Sequence, residues 1–382
     1  MDFACRHPGT VFESEPVLKG LLVPMHVRLY ENKDRKSWDD FVLDHPQATF
    51  FHLSGWKNVI EKAFGHSHFY LIAEKETAKP RLPEEIPGTS GGSTIGGVFP
   101  LFLIKSFLFG KSLVSIPFAT YGGILADDRQ TAAALLDKAI DLTRSNNLDY
   151  MEIRTIENGL PHLPSKDLYY GFKKELLPTK EANLQAIPRK ARRMVRLGIS
   201  QGLEPVVGGR ELLSEFYDLL AYNYRSLGTP VFPKHYIARL LDEFADSCFI
   251  LIIRKDRRPL SGVLSFLFKD EIIPYYSGAY PDSRDFAAND FLYWSLMCEA
   301  VERGCRVFDF GRSKRETGSF HFKRHWGFEP TLLPYKYYLH QLKTLPDLSP
   351  ANPKYRQRIE LWKKLPLWVT KCVGPQIVKY IP

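Results

Sequence analysis

Helix, strand, hairpin, helix, strand occurs twice in this chain, over roughly residues 50–160 and 233–312, and that repetition constrains the fold more than any single motif. In the first pass "SGWKNVIEKAFG" has helical spacing and "HFYLIAEK" reads as a strand. "VFPLFLIKSF" and "KSLVSIPF" then read as strands joined by a tight "FG" turn. "DRQTAAALLDKAIDLTRSNN" is an amphipathic helix, and "LDYMEIRTI" and "LYYGFKKELL" are strands. In the second pass "KHYIARLLDEFA" is helical and "CFILIIRK" is a strand. "PLSGVLSFLFKDEIIPYYSGAY" reads as a hairpin turning at Lys269-Asp270, "DFAANDFLYWSLMCEAVERG" as a helix and "CRVFDFG" as the closing strand. Repeats of this size point to duplicated modules rather than a solenoid. The hairpins make each sheet mixed and mostly antiparallel with flanking helices, an α/β (α+β) class that fits poorly with a simple βαβ alternation. The expected division is an arm at 1–25, a first module at 26–180, a second at 181–340 and a basic tail at 341–382.

At 382 residues the chain can bury two cores, and 44% hydrophobic with 25% charged residues is globular composition. A formal charge of +9 favours an anionic partner: nucleic acid, anionic lipid or a phosphorylated substrate. The five cysteines form no CxxC pair, which argues against zinc ribbons and dithiol redox motifs. No signal-peptide pattern opens the chain, and the apolar region 96–126 is broken by Lys, Pro and Gly. The expected setting is reducing and cytoplasmic. The tail "NPKYRQRIELWKKLPLWVTKCVGPQIVKYIP" is basic and studded with Trp and Leu, so it either lies on the inner membrane face or packs on the body as a clasp.

The stretch "FDFGRSKRETGSFHFKRHWGFEP" sets cations beside rings. Asp309 lies on an alternating strand, where it can pair with Arg312 or accept a proton. Arg312 and Lys314 follow Gly311 and can clamp a phosphate, or belong to a surface loop. Tyr276 and Tyr121 sit by Gly-rich strand ends, as hydrogen-bond donors to a ligand or as packing residues. Asn289 is an N-cap or enters a cleft. Arg189, Arg192 and Arg193 lie on a helix entered at Pro188, as a phosphate-tracking face or a solvated one. His66 and His68 bring no third ligand into view, and a metal between His321 and His325 would crowd the Lys323 cation, so no metal is expected.

Together, "FDFGRS…GSFHFKRHWGF", "IPRKARRMVRLGIS", "SIPFATYGGILAD" and "AANDFLYW" resemble the FemAB family, whose members are built from two GNAT-like acyltransferase modules. The pattern is most similar to FemAB-related proteins associated with exosortase (PEP-CTERM) and exopolysaccharide systems. The likeness in element order spans about 50–340. It implies transfer of an activated acyl or aminoacyl group to an amine of a peptidoglycan, cell-envelope or exopolysaccharide precursor. It also implies no tightly bound cofactor, and a co-substrate donor that is usually aminoacyl-tRNA. Two departures bear on the donor: the long helical arm of some members is missing, and so is the Arg/Gln-x-x-Gly-x-Gly/Ala loop that binds CoA pyrophosphate. Transfer from acyl-CoA or an acyl carrier to an amino sugar therefore remains an alternative, as does a non-catalytic glycan-binding or scaffold role. The resemblance places Phe322-Lys323 on the family's Phe-Lys pair, expected on a strand, with Lys323 holding negative charge at the reacting carbonyl or contacting a phosphate. It places Asp127 at an acidic step of an acceptor loop, with Asp128 better read as a helix cap.

Overall fold

The computed structural model describes residues 25–76, 93–106, 110–157, 159–346 and 353–381. Most of the expected arm, with Cys5, and most of the Pro- and Gly-rich segment after residue 76 lie outside them. The first half runs β1 (Met25–Leu29), α1 (Arg35–Asp44), α2 (Ser54–Phe64), β2 (Ser67–His68), β3 (Leu71–Glu76), β4 (Ser93–Phe99), β5 (Phe102–Ser106), β6 (Gly110–Val114) and β7 (Leu125–Ala126). It continues through α3 (Arg129–Ser145), β8 (Tyr150–Ile153) and β9 (Ser165–Glu175). The second half runs α4 (Lys180–Ala186), α5 (Arg189–Ser200), β10 (Glu204–Gly208), α6 (Leu213–Leu227), α7 (Lys234–Glu243), β11 (Cys248–Lys255), β12 (Arg258–Phe268) and β13 (Glu271–Ala279). After these come α8 (Ala288–Glu302), β14 (Val307–Lys314), α9 (Gly318–His325), β15 (Thr331–Leu339) and the tail helices α10 (Pro353–Lys364) and α11 (Leu367–Val378).

Local chemistry explains the punctuation. Gly65 ends α2 at φ +71°, a left-handed position that an L side chain rarely adopts. The Asp128 carboxylate accepts the Thr131 N–H at 2.8 Å and starts α3, as expected of a cap. Lys269-Asp270 makes the β12–β13 turn. The single strand expected over "VFPLFLIKSF" is instead two: Pro100 has no N–H to donate, and the chain leaves one sheet as β4 and enters another as β5.

Among the described residues, a four-stranded sheet (β1-β3-β4-β7) lies beside an 11-stranded one in the order β10-β11-β12-β13-β14-β9-β15-β8-β6-β5-β2. The halves interleave in the large sheet. β9, from the first half, pairs with β14, and β15, from the second, pairs with β8. Rings tie the halves further, with Phe50 stacked on Phe266 at 4.2 Å. β11 is apolar on both faces because α6 and α7 cover one and α8 the other.

The tail packs on the body. Lys371 pairs with Asp218 at 2.6 Å and Arg225 donates to the Leu365 carbonyl at 3.3 Å. Gly374 lies so close to Val231 that a Cβ there would meet its backbone N at 3.0 Å. No helix among the described residues is long and apolar enough to cross a membrane.

Candidate active site

The two parallel contacts in the large sheet both open into a fork. β13 and β14 pair only at Glu271–Val307 and Ile272–Phe308 and then diverge. Pro274, just beyond, cannot donate to the ladder, and β14 bulges between Asp309 and Arg312, where Gly311 takes φ +64°. Into this fork opens a cavity of about 800 Å³, a size that suits a bound small molecule. β13 contributes Tyr275, Tyr276 and Ser277, and β14 contributes Phe310 to Lys314. From the first half come Phe118, Thr120 and Arg154, and from the tail Arg358, Ile359 and Trp362.

The cavity wall is cationic. Arg154, Lys166, Arg312, Lys314, Lys323 and Arg358 line it, against one carboxylate, Glu152, which Arg154 already holds at 2.8 Å. Arg312 has no carboxylate partner among the described residues: it donates to the Tyr335 hydroxyl at 2.7 Å and lies over the Tyr169 ring at 4.4 Å. A guanidinium cannot shed its charge, so one placed this way at a cavity suits an incoming anion.

Lys323 sits on α9, not on the strand the resemblance suggested. Thr317 caps that helix, and Phe320 and Lys323, three apart, share its buried side. The Lys323 ammonium donates to the carbonyls of Phe310 at 2.6 Å, Arg312 at 3.0 Å and Gly311 at 3.4 Å, so it holds the bulge of β14 in place. Burial pushes its pKa down to about 7, with Asp309 opposing that shift and Arg312 adding to it.

Asp309 is fully buried but does not pair with Arg312. The bulge at Gly311 turns Arg312 toward Tyr335, while Asp309 accepts from the Gly311 N–H at 2.8 Å and the Tyr121 hydroxyl at 3.2 Å. Lys173 approaches its other oxygen at 3.4 Å. Tyr121 and Asp309 thus brace the floor under the bulge and do not line the cavity.

Tyr276 and Lys314 do line it. The Tyr276 hydroxyl is 3.1 Å from that of Tyr236. Phe322 packs behind, 5.5 Å from the Tyr293 ring. Three expectations fall elsewhere. Asn289 is exposed in the first turn of α8, whose N-cap is Ala287. Asp127 is exposed and pairs with Lys75 at 3.1 Å, drawn there together with the capping Asp128. Arg189 and Arg193 are exposed on α5, opposite its buried Ala191, Val195 and Gly198, while Arg192 donates to Gln185. They form a surface separate from the cavity lining.

Sequence reading missed Tyr169, Tyr275 and Arg154, and every tail residue in the wall. The clustered tyrosines of "LYYGF" and "IPYYSG" were the available signal: strands that place hydroxyl-bearing rings at one end suit a polar cleft.

The second half matches the acetyltransferase (GNAT) domain family over residues 183–324. No curated protein matches the sequence. Among solved structures, the chain is similar to FemX (15% identity, 87% of this chain and 99% of that one, TM-score 0.62). It is also similar to a tandem GNAT protein from the clavulanic acid biosynthesis pathway (10% identity, 83% and 98%, TM-score 0.52). A third likeness is to the C-terminal domain of a lysylphosphatidylglycerol synthetase-like protein from Agrobacterium fabrum (13% identity, 81% and 92%, TM-score 0.53). At these identities the likeness is one of fold. The chain has a two-module GNAT-like fold, and residues 183–324 match the acetyltransferase (GNAT) domain.

Proposed function

We propose that the protein is an N-acyltransferase of FemAB type that moves an activated acyl or aminoacyl group onto an amine of a cell-envelope or exopolysaccharide precursor. The observation that carries this reading is the open β13–β14 fork, with Lys323 and Arg312 at a cavity that faces no free carboxylate among the described residues. A carbonyl oxygen seated in the fork would gain negative charge in the field of both cations, where fixed charge lowers the barrier most. As its ammonium, Lys323 stabilises that oxygen. In its free-amine form, accessible with a pKa pushed down to about 7, Lys323 would instead take the proton that the attacking amine must lose. Arg312 and Lys314 would hold a phosphate of donor or acceptor, and the division into modules at about residue 180 belongs to the same reading.

The donor is aminoacyl-tRNA or acyl-CoA. The exposed arginines of α5 favour a polyanion, and the acetyltransferase-domain match favours CoA. Titrating the protein with aminoacyl-tRNA, uncharged tRNA and acyl-CoA at two salt concentrations separates them. Salt-sensitive preference for charged tRNA supports the first, and saturable CoA binding without tRNA preference supports the second. Absence of both leaves a glycan-binding or scaffold role. A place in an exosortase-associated pathway and contact of the basic tail with the inner face of the membrane complete the proposal. The tail contact is tested by liposome binding with and without residues 353–381.

A further inference from the structure

The cavity does not end at the fork. Beyond Tyr275 it continues along a wall of rings, with Phe118 at 5.2 Å from Phe232, Phe232 at 5.1 Å from Tyr276, and Tyr224 at 5.9 Å from Phe232. The tail closes this second arm with Ile359 and Trp362 of α10 and Ile377 and Val378 of α11. Gly228 lies hard against Ile359, where a Cβ would come within 2.4 Å, so α10 is seated closely there. At the fork the cavity thus carries Arg312, Lys314 and Lys323, and toward the tail its lining is mostly ring and aliphatic side chain, with Arg358 of α10 among them. On the same tail helices Leu361 and Trp368 are 64% and 70% exposed.

We propose that the cavity holds an amphiphile: a phosphate-bearing head at Arg312 and Lys314, and a hydrocarbon chain along the ring-lined arm, with α10 and α11 as the wall that selects for the chain. The inference rests on the reading of the cavity as the acyl-transfer site, and narrows its ligand class. The chain could belong to the transferred acyl group or to a lipid-linked acceptor, and both present the same chemistry to this arm. Trp362 Nε1 is buried in the wall with no hydrogen-bond partner among the described residues, a donor available to an oxygen at the junction of head and chain.

The test is calorimetric titration of the full chain with inorganic phosphate and with butyl, octyl and dodecyl phosphate below their micelle concentrations. Affinity should rise about three- to fourfold per methylene while the chain stays inside. Trp362→Ala and Ile359→Ser should each flatten that slope, and Arg312→Ala should weaken every alkyl phosphate by a similar factor. Two substitutions on one helix guard against a variant that misfolds, which a melting curve identifies. Affinity independent of chain length, a slope unchanged in both wall variants, or equal binding of uncharged dodecyl maltoside would overturn the proposal. Displacement of dodecyl phosphate by long-chain acyl-CoA assigns the chain to the donor, and displacement by farnesyl phosphate alone assigns it to the acceptor. Displacement by neither overturns it. Binding is read without turnover, so failure here and failure to transfer an acyl group are separate results.

Discussion

The two forks of the large sheet share a topology and differ in what fills them. In the first half β6 and β8 pair in parallel from Ser112–Tyr150 to Val114–Glu152 and then part. Arg154 fills the gap: it binds Glu152 at 2.8 Å and donates to the carbonyls of Ile116 and Ala119 at 3.1 and 2.9 Å. Glu152 in turn accepts from Tyr337 at 3.0 Å. The loop it fastens bends through Ile116 and Phe118 at φ +58° and +63°, a costly geometry for a β-branched residue that tight tethering maintains. The second fork has no such plug. Its cation, Lys323, reaches in from α9 and holds the carbonyls of the bulge at the edge of the cavity, so the space between the strands stays open. A duplicated fork can therefore become a structural joint or a site, depending on where its buried cation is anchored.

The largest effect expected from breaking this contrast is on stability. Arg154→Ala should cost about 3–5 kcal/mol, because Glu152 would stay buried without its partner. Arg154→Met with Glu152→Leu should recover most of that, and denaturant midpoints of the two variants read the difference. A single variant as stable as the parent would remove the joint from the argument.

At the open fork the expected loss is catalytic. Lys323→Ala should lower kcat about 10²- to 10³-fold, in the range for loss of one transition-state donor, with far-ultraviolet circular dichroism showing the fold retained. The pH profile gives the sign. Below about 7 Lys323 is an ammonium and above it a free amine. A rate that falls as pH rises through 7 marks a charge that stabilises the oxyanion, whereas a rate that rises marks a base.

Arg312→Ala should raise KM for a phosphorylated substrate about tenfold to a hundredfold, the loss of a charged hydrogen bond of roughly 1.5–3 kcal/mol. An unchanged KM would move the phosphate elsewhere. The smallest effect belongs to the brace. Tyr121→Phe removes one donor from Asp309, which keeps Gly311 and Lys173, and should cost about 1 kcal/mol in melting experiments with little change in KM.

What was legible in the residues follows physical range. The element order was readable because β11 and β12 are near-continuous apolar runs and α3 carries its cap and period within one segment. α9 was misread because the family resemblance put Phe322-Lys323 on a strand, whereas Thr317 caps a helix there with Phe320 and Lys323 on its buried side. The pairing of Asp309 with Arg312 failed on one glycine, since a bulge at Gly311 reverses which way the next side chain points. Asn289 and Asp127 had plausible neighbours in sequence, but the fold leaves both exposed. The tail's part in the cavity was least accessible, because it depends on a contact between residue 359 and residue 228 that no local pattern encodes.

The crossing of β9 and β15 has a consequence in time. On the ribosome the first half emerges with β8 lacking its outer neighbour, since that neighbour is β15, the last made among the described strands. β9 meanwhile is complete long before β14, its partner, exists. Neither half can finish alone: the early one waits with a bare strand edge, a form open to aggregation, until residues 331–339 are made. A chain truncated before Thr331 would leave that edge bare for good, and one ending at Leu339 would close the sheet but leave the cavity without its outer wall.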